Sequence, residues 1–233
     1  MARASEGKTL GVAAGRRSRD PERTRNEILE VATEEFSQHG LHGGRVDEIA
    51  ARTRTTKRMI YYYFGGKKQL YVAVLERAYA TIRAAERDID IDQSDPKAAI
   101  RRLAELTFDH HESHPDFVRL VSIENIDRAE HLANGDFRNL NSPAIELITK
   151  ILEKGYAEGV FRRSIDPLDL HMMISSFCFF RVANRHTFKA IFARDLVESR
   201  RREHYRRMLG DMVVDYLTAA DEGPPRSSRR SAR

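Results

Sequence analysis

Apolar residues recur in this chain at three- and four-residue steps almost from end to end, and no run alternates apolar and polar residues as a half-buried strand would. That period fixes the fold class as all-α. The first stripe is Ile28, Leu29, Ala32 and Phe36, on a helix beginning at Pro21 or Glu22 with proline in its favoured first turn. Gly40 stands where a glycine closes a helix. A short second helix, 46–52, would bury Val46, Ile49 and Ala50, and a third, 56–64, would be capped by Thr55 or Thr56. After Gly65 and Gly66 a longer fourth helix starts near Lys67, carrying Leu70, Val74, Leu75 and Ala78 on one side. The polar stretch 90–96 breaks the pattern. Helices follow over 97–114, 115–128, 143–158, 168–192 and 196–217, which makes nine.

The chain has 233 residues, 41% of them hydrophobic and 32% charged, enough for a sizeable core or two modest domains. No stretch approaches the roughly 20 consecutive apolar residues that a membrane-spanning helix needs. Residues 1–20 are basic but lack the apolar centre of a signal peptide, and they read as a disordered arm. The Pro/Ser/Arg-rich stretch 221–233 reads as a disordered tail. Cys178 is the single cysteine, which excludes an internal disulfide and thiolate zinc clusters. A cytoplasmic location and no membrane association are the resulting expectations. There is no internal repeat. The domains expected are a small helical unit over 21–66 and a helical-bundle unit over 67–220.

The net charge of +5 is modest, so its distribution matters more. Between Arg45 and Lys68 stand seven basic residues against Asp47 and Glu48, a local excess of five. Such clustering is the footprint of a phosphate-binding surface, although a charge run is more often a solvated face. The helix pattern separates the two readings. Two short helices joined by a tight turn, the second basic and aromatic, make a helix-turn-helix. In Thr56-Lys57-Arg58-Met59-Ile60-Tyr61-Tyr62-Tyr63-Phe64, Ile60 and Phe64 lie four apart and can face a core. Lys57, Arg58, Tyr61 and Tyr62 then turn outward. Tyrosine hydroxyls and ammonium groups donate well to phosphate, and Lys or Arg can reach a guanine edge. Lys67 adds a cation at a helix start.

These motifs resemble the DNA-binding domain of the TetR family. The resemblance covers residues 24–75 and rests on Ile49-Ala50, on Ile60-Tyr61-Tyr62-Tyr63-Phe64, and on Lys67-Lys68-Gln69-Leu70. It implies a three-helix, homeodomain-like DNA-binding unit followed by a helical ligand-binding and dimerisation domain. By position it implies that Lys57, Arg58, Met59 and Tyr61 face bases, while Thr56, Tyr62, Tyr63 and Lys67 hold phosphates. Arg45 and Thr55 complete the expected DNA contacts. The chain departs from the family at Arg45, where Ser or Thr is usual, at Arg54, where the turn usually has Gly, and at Arg58-Met59, where a small pair is common. Only Gly takes positive φ freely, so Arg54 must find a tolerable backbone geometry.

In the C-terminal half, Leu170, Ile174, Phe177, Arg181 and Asn184 recur along one helix. An arginine on an apolar stripe must be paired if buried. It could meet an acidic ligand, or it could be structural, in a salt bridge with Glu124 or Glu146 or at a dimer interface; the structural role is the commoner outcome. The effector pocket is expected to combine Phe108, Phe117 and Phe177 with His111, Arg181 and Asn184. His110, His111 and His114 raise a metal reading, but Asp109 and Glu112 are poorly placed to complete it, so no metal or other cofactor is expected. Neither a phosphate loop nor a nucleophile elbow is present, and no catalysis is expected. The resulting expectation is a homodimeric regulator of double-stranded operator DNA, most naturally a repressor released by a small-molecule effector. Its competitor is a DNA-binding protein whose C-terminal domain only dimerises or recruits a partner. The dimer interface is expected along Tyr205, Leu209, Met212 and Leu217, with Ile174 and Phe177 from the preceding helix.

Overall fold

A computed structural model describes residues 20–86, 89, 95–133 and 137–220, and every regular element among them is a helix. The arm expected before Asp20 and the tail expected over 221–233 lie outside the described residues. The helices are α1 (Pro21–Gly43), α2 (Val46–Arg52), α3 (Lys57–Phe64), α4 (Lys67–Glu86) and α5 (Pro96–Ser113). They continue with α6 (Pro115–Ile126), α7 (Phe137–Ala157), α8 (Pro167–Ala183), α9 (Arg185–Phe192) and α10 (Ser199–Thr218).

Local chemistry explains three of the starts. Asp20, Asp95 and Asp166 each precede a proline and each accepts a hydrogen bond from a backbone N–H in the first turn, at 3.1, 3.0 and 2.8 Å. The proline has no N–H to lose there, and the carboxylate satisfies one that would otherwise be orphaned. Gly40 takes φ 64° and ψ −177°, so the main run of α1 does break at this glycine, and one further turn to Gly43 follows it.

Three helix extents differ from the sequence pattern. The helix expected over 168–192 is two, because Asn184, at φ −98° and ψ 7°, ends α8 before α9 begins. The last helix starts at Ser199, leaving Leu196 in a buried connection. The helix expected from 143 begins at Phe137, with Pro143 inside it. Proline cannot donate to the carbonyl four residues back, and the Ser142 hydroxyl donates to that Asn139 carbonyl instead, at 3.2 Å.

The helices enclose two main cores. The first joins α1, α2, α3 and the leading half of α4 through Ile28, Phe36, Ile49, Ile60 and Tyr71, with Leu120 and Phe137 closing it from the C-terminal side. Phe36 and Tyr71 meet edge to face at 5.2 Å. The second joins α5, α7, α8 and α10 through Ile100, Phe108, Ile151, Ile174 and Leu209. Fully burying side chains of this size stabilises by roughly 1.5–3 kcal/mol each. Helix α4 belongs to both halves. Leu70, Tyr71, Val74 and Leu75 sit in the first core, so that core runs past residue 66, while the trailing half of α4 reaches the C-terminal bundle.

Candidate nucleic-acid interface and ligand cavity

The α2–α3 unit is set by three local contacts. The Thr53 hydroxyl donates to the Ile49 carbonyl at 2.7 Å, and the Thr55 amide donates to the Ala50 carbonyl at 3.0 Å. Between them Arg54 takes φ 50°, the left-handed conformation that glycine would adopt without strain. Thr56, not Thr55, caps α3 by accepting from the Met59 amide at 3.2 Å.

Helix α3 buries Ile60 and Phe64 and turns the rest of its surface outward. Lys57, Arg58 and Met59 are exposed, Tyr61 is 37% exposed, and Tyr62 reaches 78%. Tyr63 is half-buried and meets Tyr62 edge to face at 5.6 Å. Arg45 and Thr56 are exposed on the same unit, while Thr55 is half-buried in the turn. Lys67 is half-buried and donates to the His42 carbonyl at 3.1 Å, which holds its ammonium beside the end of α1.

The basic cluster is partly self-neutralised. Arg45 pairs with Glu48, Lys57 with Asp47 and Lys68 with Glu130, at 3.2, 3.3 and 3.5 Å, and Arg52 pairs with Glu34. Exposed pairs of this kind are worth about 0–1 kcal/mol, so a phosphate can displace the carboxylate at little cost. Arg58 has no ion pair among the described residues.

A second feature lies in the C-terminal half. Helices α4, α5, α6 and α8 line an open pocket, a cavity of 340 Å³ whose walls include Tyr79, Phe117 and Phe179. Its polar groups include Arg83, His111, His171 and Asn125. Tyr79 and Phe117 pack edge to face at 5.3 Å. His111 Nδ1 lies 2.8 Å from the Thr107 carbonyl, which can only accept, so Nδ1 carries the proton and Nε2 remains an acceptor. Burial lowers the His111 pKa to about 4 and also lowers that of His171, so both rings are neutral at pH 7.

Of the six residues expected around an effector, His111 and Phe117 line this cavity. Phe108 is fully buried in the second core, Phe177 packs half-buried against it, and Asn184 stands at the junction of α8 and α9. Arg181 is buried and paired, but its partner is Glu112 at 2.9 Å rather than Glu124 or Glu146. It also donates to the Leu196 carbonyl at 2.9 Å and lies 4.0 Å over the Phe108 ring. Glu112 is on α5, directly across from α8, whereas Glu124 is held by Tyr71 and His131. Arg83 and His171 are among the polar residues of the cavity that were not singled out from the sequence. Leu75, Tyr79 and Arg83 do recur at four-residue steps, and that spacing carried the signal for Arg83.

The metal reading of the histidines finds no donor set. His110 and His114 stack at 4.2 Å, and no group of three or more His, Cys, Asp or Glu side chains among the described residues could hold a metal ion. Among the described residues, no helix is long and apolar enough to cross a membrane.

An outward-facing basic, aromatic second helix on a helix-turn-helix, joined by a shared helix to a cavity-bearing bundle, defines a DNA-binding regulator with a helical second domain. The family model described as "Bacterial regulatory proteins, tetR family" matches residues 28–74, and "Tetracyclin repressor-like, C-terminal domain" matches residues 96–213. The chain belongs to the TetR family of bacterial transcriptional regulators. It is 35% identical to the HTH-type transcriptional repressor NicS of Pseudomonas putida over 201 residues, covering 86% of this chain and 95% of that protein. It is 31% identical to the HTH-type transcriptional regulator RutR of Escherichia coli over 167 residues, covering 69% and 74%. The fold matches a tetR-family regulatory protein from Rhodococcus with a TM-score of 0.66 at 18% identity, covering 85% of this chain and 98% of that one.

Proposed function

We propose that this chain is a homodimeric repressor that holds operator DNA through α3 and releases it when a small molecule fills the α4–α6–α8 cavity. The observation that carries this reading is the double membership of α4. Its leading half packs under the helix-turn-helix, and its trailing half supplies Tyr79, Ile82 and Arg83 to the cavity. An occupant that shifts the trailing half also moves the unit carrying Arg58 and Tyr62. For a useful switch the ligand must favour one state by roughly 1–3 kcal/mol. In this reading Lys57, Arg58, Met59 and Tyr61 meet bases, and Arg45, Thr55, Thr56, Tyr62, Tyr63 and Lys67 hold the backbone.

Dimerisation would set two recognition helices on one face of the duplex. The faces available for it differ from those expected from the sequence. Tyr205, Leu209, Leu217 and Ile174 are buried within the protomer, against α5 and α7. The large apolar residues left exposed on α8 and α10 are Leu168, Met172, Phe180 and Met212. That surface is the candidate interface.

The test is a mobility-shift assay with the DNA upstream of the chain's own gene, run with and without a small-metabolite library, beside sedimentation of the free protein. The reading expects a dimer at micromolar concentration and dissociation of the DNA complex by at least one compound that also raises the protein's melting temperature. A monomer that binds DNA, or a complex indifferent to every stabilising compound, contradicts it.

A further inference from the structure

Among the described residues, Arg83 is a buried charge that its ion-pair partner leaves with unsatisfied nitrogens. Its side chain is 6% exposed, yet neither Nε nor Nη1 has a hydrogen-bond partner among the described residues. Nη1 does lie 2.9 Å from Glu86 Oε2, the neighbouring turn of the same helix, but outside hydrogen-bonding geometry. Burial opposes charge on both members, lowering the pKa of Arg83 and raising that of Glu86. A buried guanidinium is costly to keep unless its N–H groups are satisfied. This one has donors to spare, and it lines the cavity.

The other lining groups narrow what would satisfy it. His111 and His171 are neutral imidazoles, so Arg83 is the one cation among the described lining residues. A single planar fork suits a carboxylate, which can accept from two guanidinium nitrogens at once. A phosphate dianion would need a second cation. The flanking rings of Tyr79, Phe117 and Phe179 favour a flat apolar body, and His111 Nε2 can accept from a hydroxyl or ring N–H. A volume of 340 Å³ equals that of roughly eleven liquid waters at about 30 Å³ each, which leaves room for a single ring with a short substituent. A wider cleft of 680 Å³ between α1, α6 and α8 has Gln38, His39, Arg119 and His186 exposed around it and offers no comparable buried donor.

We infer that the cavity takes a small aromatic monocarboxylate, with its carboxylate on Arg83 and its ring among Tyr79, Phe117 and Phe179. This rests on the reading of the chain as an effector-released regulator, and it adds the chemical class of the effector. Arg181, the arginine that sequence alone offered for this role, is already held by Glu112 and Leu196.

The test compares benzoate, 4-hydroxybenzoate and phenylacetate with their uncharged amides, by calorimetry and thermal shift on the full chain at millimolar ligand. The acids should bind at least tenfold more tightly than the amides. Arg83→Gln should lose that preference. Because it strands Glu86, the paired variant Arg83→Met with Glu86→Gln removes both charges, and it too should lose the preference. Equal binding of acids and amides, binding by none of the acids, or retention of the preference by the paired variant overturns the inference. Parallel mobility shifts separate it from the function it rests on. If amides bind and release DNA, the effector reading stands and the carboxylate assignment falls. If acids bind through Arg83 and leave the DNA complex intact, the assignment stands and the effector reading falls.

Discussion

The Tyr71 hydroxyl donates to Glu124 Oε1 across 2.9 Å, and through that bond α4 is tied to α6 at the seam between the two halves of the molecule. Both groups are almost fully buried. Glu124 also accepts from the His131 amide at 3.3 Å and lies 3.0 Å from its Nδ1, while Tyr71 packs against Phe36 of α1. The same two helices bring Tyr79 and Val121 to the cavity wall. Motion of α4 relative to α6 therefore has to strain or break this bond.

Tyr71→Phe keeps the ring packing and removes only the hydroxyl. A hydrogen bond to a charged group is worth about 1.5–3 kcal/mol, so the urea midpoint should fall by an amount equivalent to that range with the slope unchanged. An unchanged midpoint would mean that the hydroxyl does not hold the seam.

Acid should loosen the bundle before it affects the DNA-binding half. Burial, then repulsion from His114 and His111, lowers the His110 pKa from 6.5 to about 3, and burial lowers that of His111 to about 4. In the unfolded chain both protonate near 6.5, so the unfolded state binds more protons below that pH. The stabilisation is fully present above pH 6.5 and is lost as the pH falls towards 4. At pH 5 the loss should be on the order of 1–2 kcal/mol per histidine. Replacing His111 by Gln should flatten the stability profile between pH 7 and pH 5. A profile as steep as that of the wild type would show that this ring does not contribute.

Arg181→Met should act on stability. The substitution leaves Glu112 without its buried partner, although Arg202 Nε also stands 3.2 Å from Glu112 Oε1 and can retain part of the pairing. Breaking a buried pair costs about 3–5 kcal/mol, and that residual contact should place this variant towards the lower figure. Its melting temperature should drop while ligand affinity, measured below the transition, stays within twofold. A selective loss of ligand affinity at unchanged stability would return Arg181 to the binding site.

The DNA-binding half was legible because its signals are local. The Thr56 cap, the four-residue step from Ile60 to Phe64 and the Gly65-Gly66 break each act within a turn or two, so α2 and α3 emerge with their observed faces. Even the misfit of Arg54 was visible, and it resolves as a left-handed residue. The cavity was less legible because it depends on which helices meet. The stripe through Leu170, Ile174 and Arg181 was readable, but nothing local says that Glu112 lies across from it. Tyr205 and Leu209 are apolar on one side for either a core or an interface, and periodicity cannot distinguish the two. Pro143 inside α7 was masked because a neighbouring serine satisfies the orphaned carbonyl.

The most direct measurement of the central claim is fluorescence anisotropy with the upstream duplex and a scrambled duplex, for wild type and for Arg58→Ala and Tyr62→Phe. The wild type should prefer the upstream duplex by at least about a thousandfold, with log affinity falling linearly in log salt. Arg58→Ala should cost about 1–3 kcal/mol on the upstream duplex alone, narrowing the preference. Tyr62→Phe should weaken both duplexes alike, as the loss of a backbone contact does. If both variants bind both duplexes as the wild type does, α3 is not the surface that reads DNA.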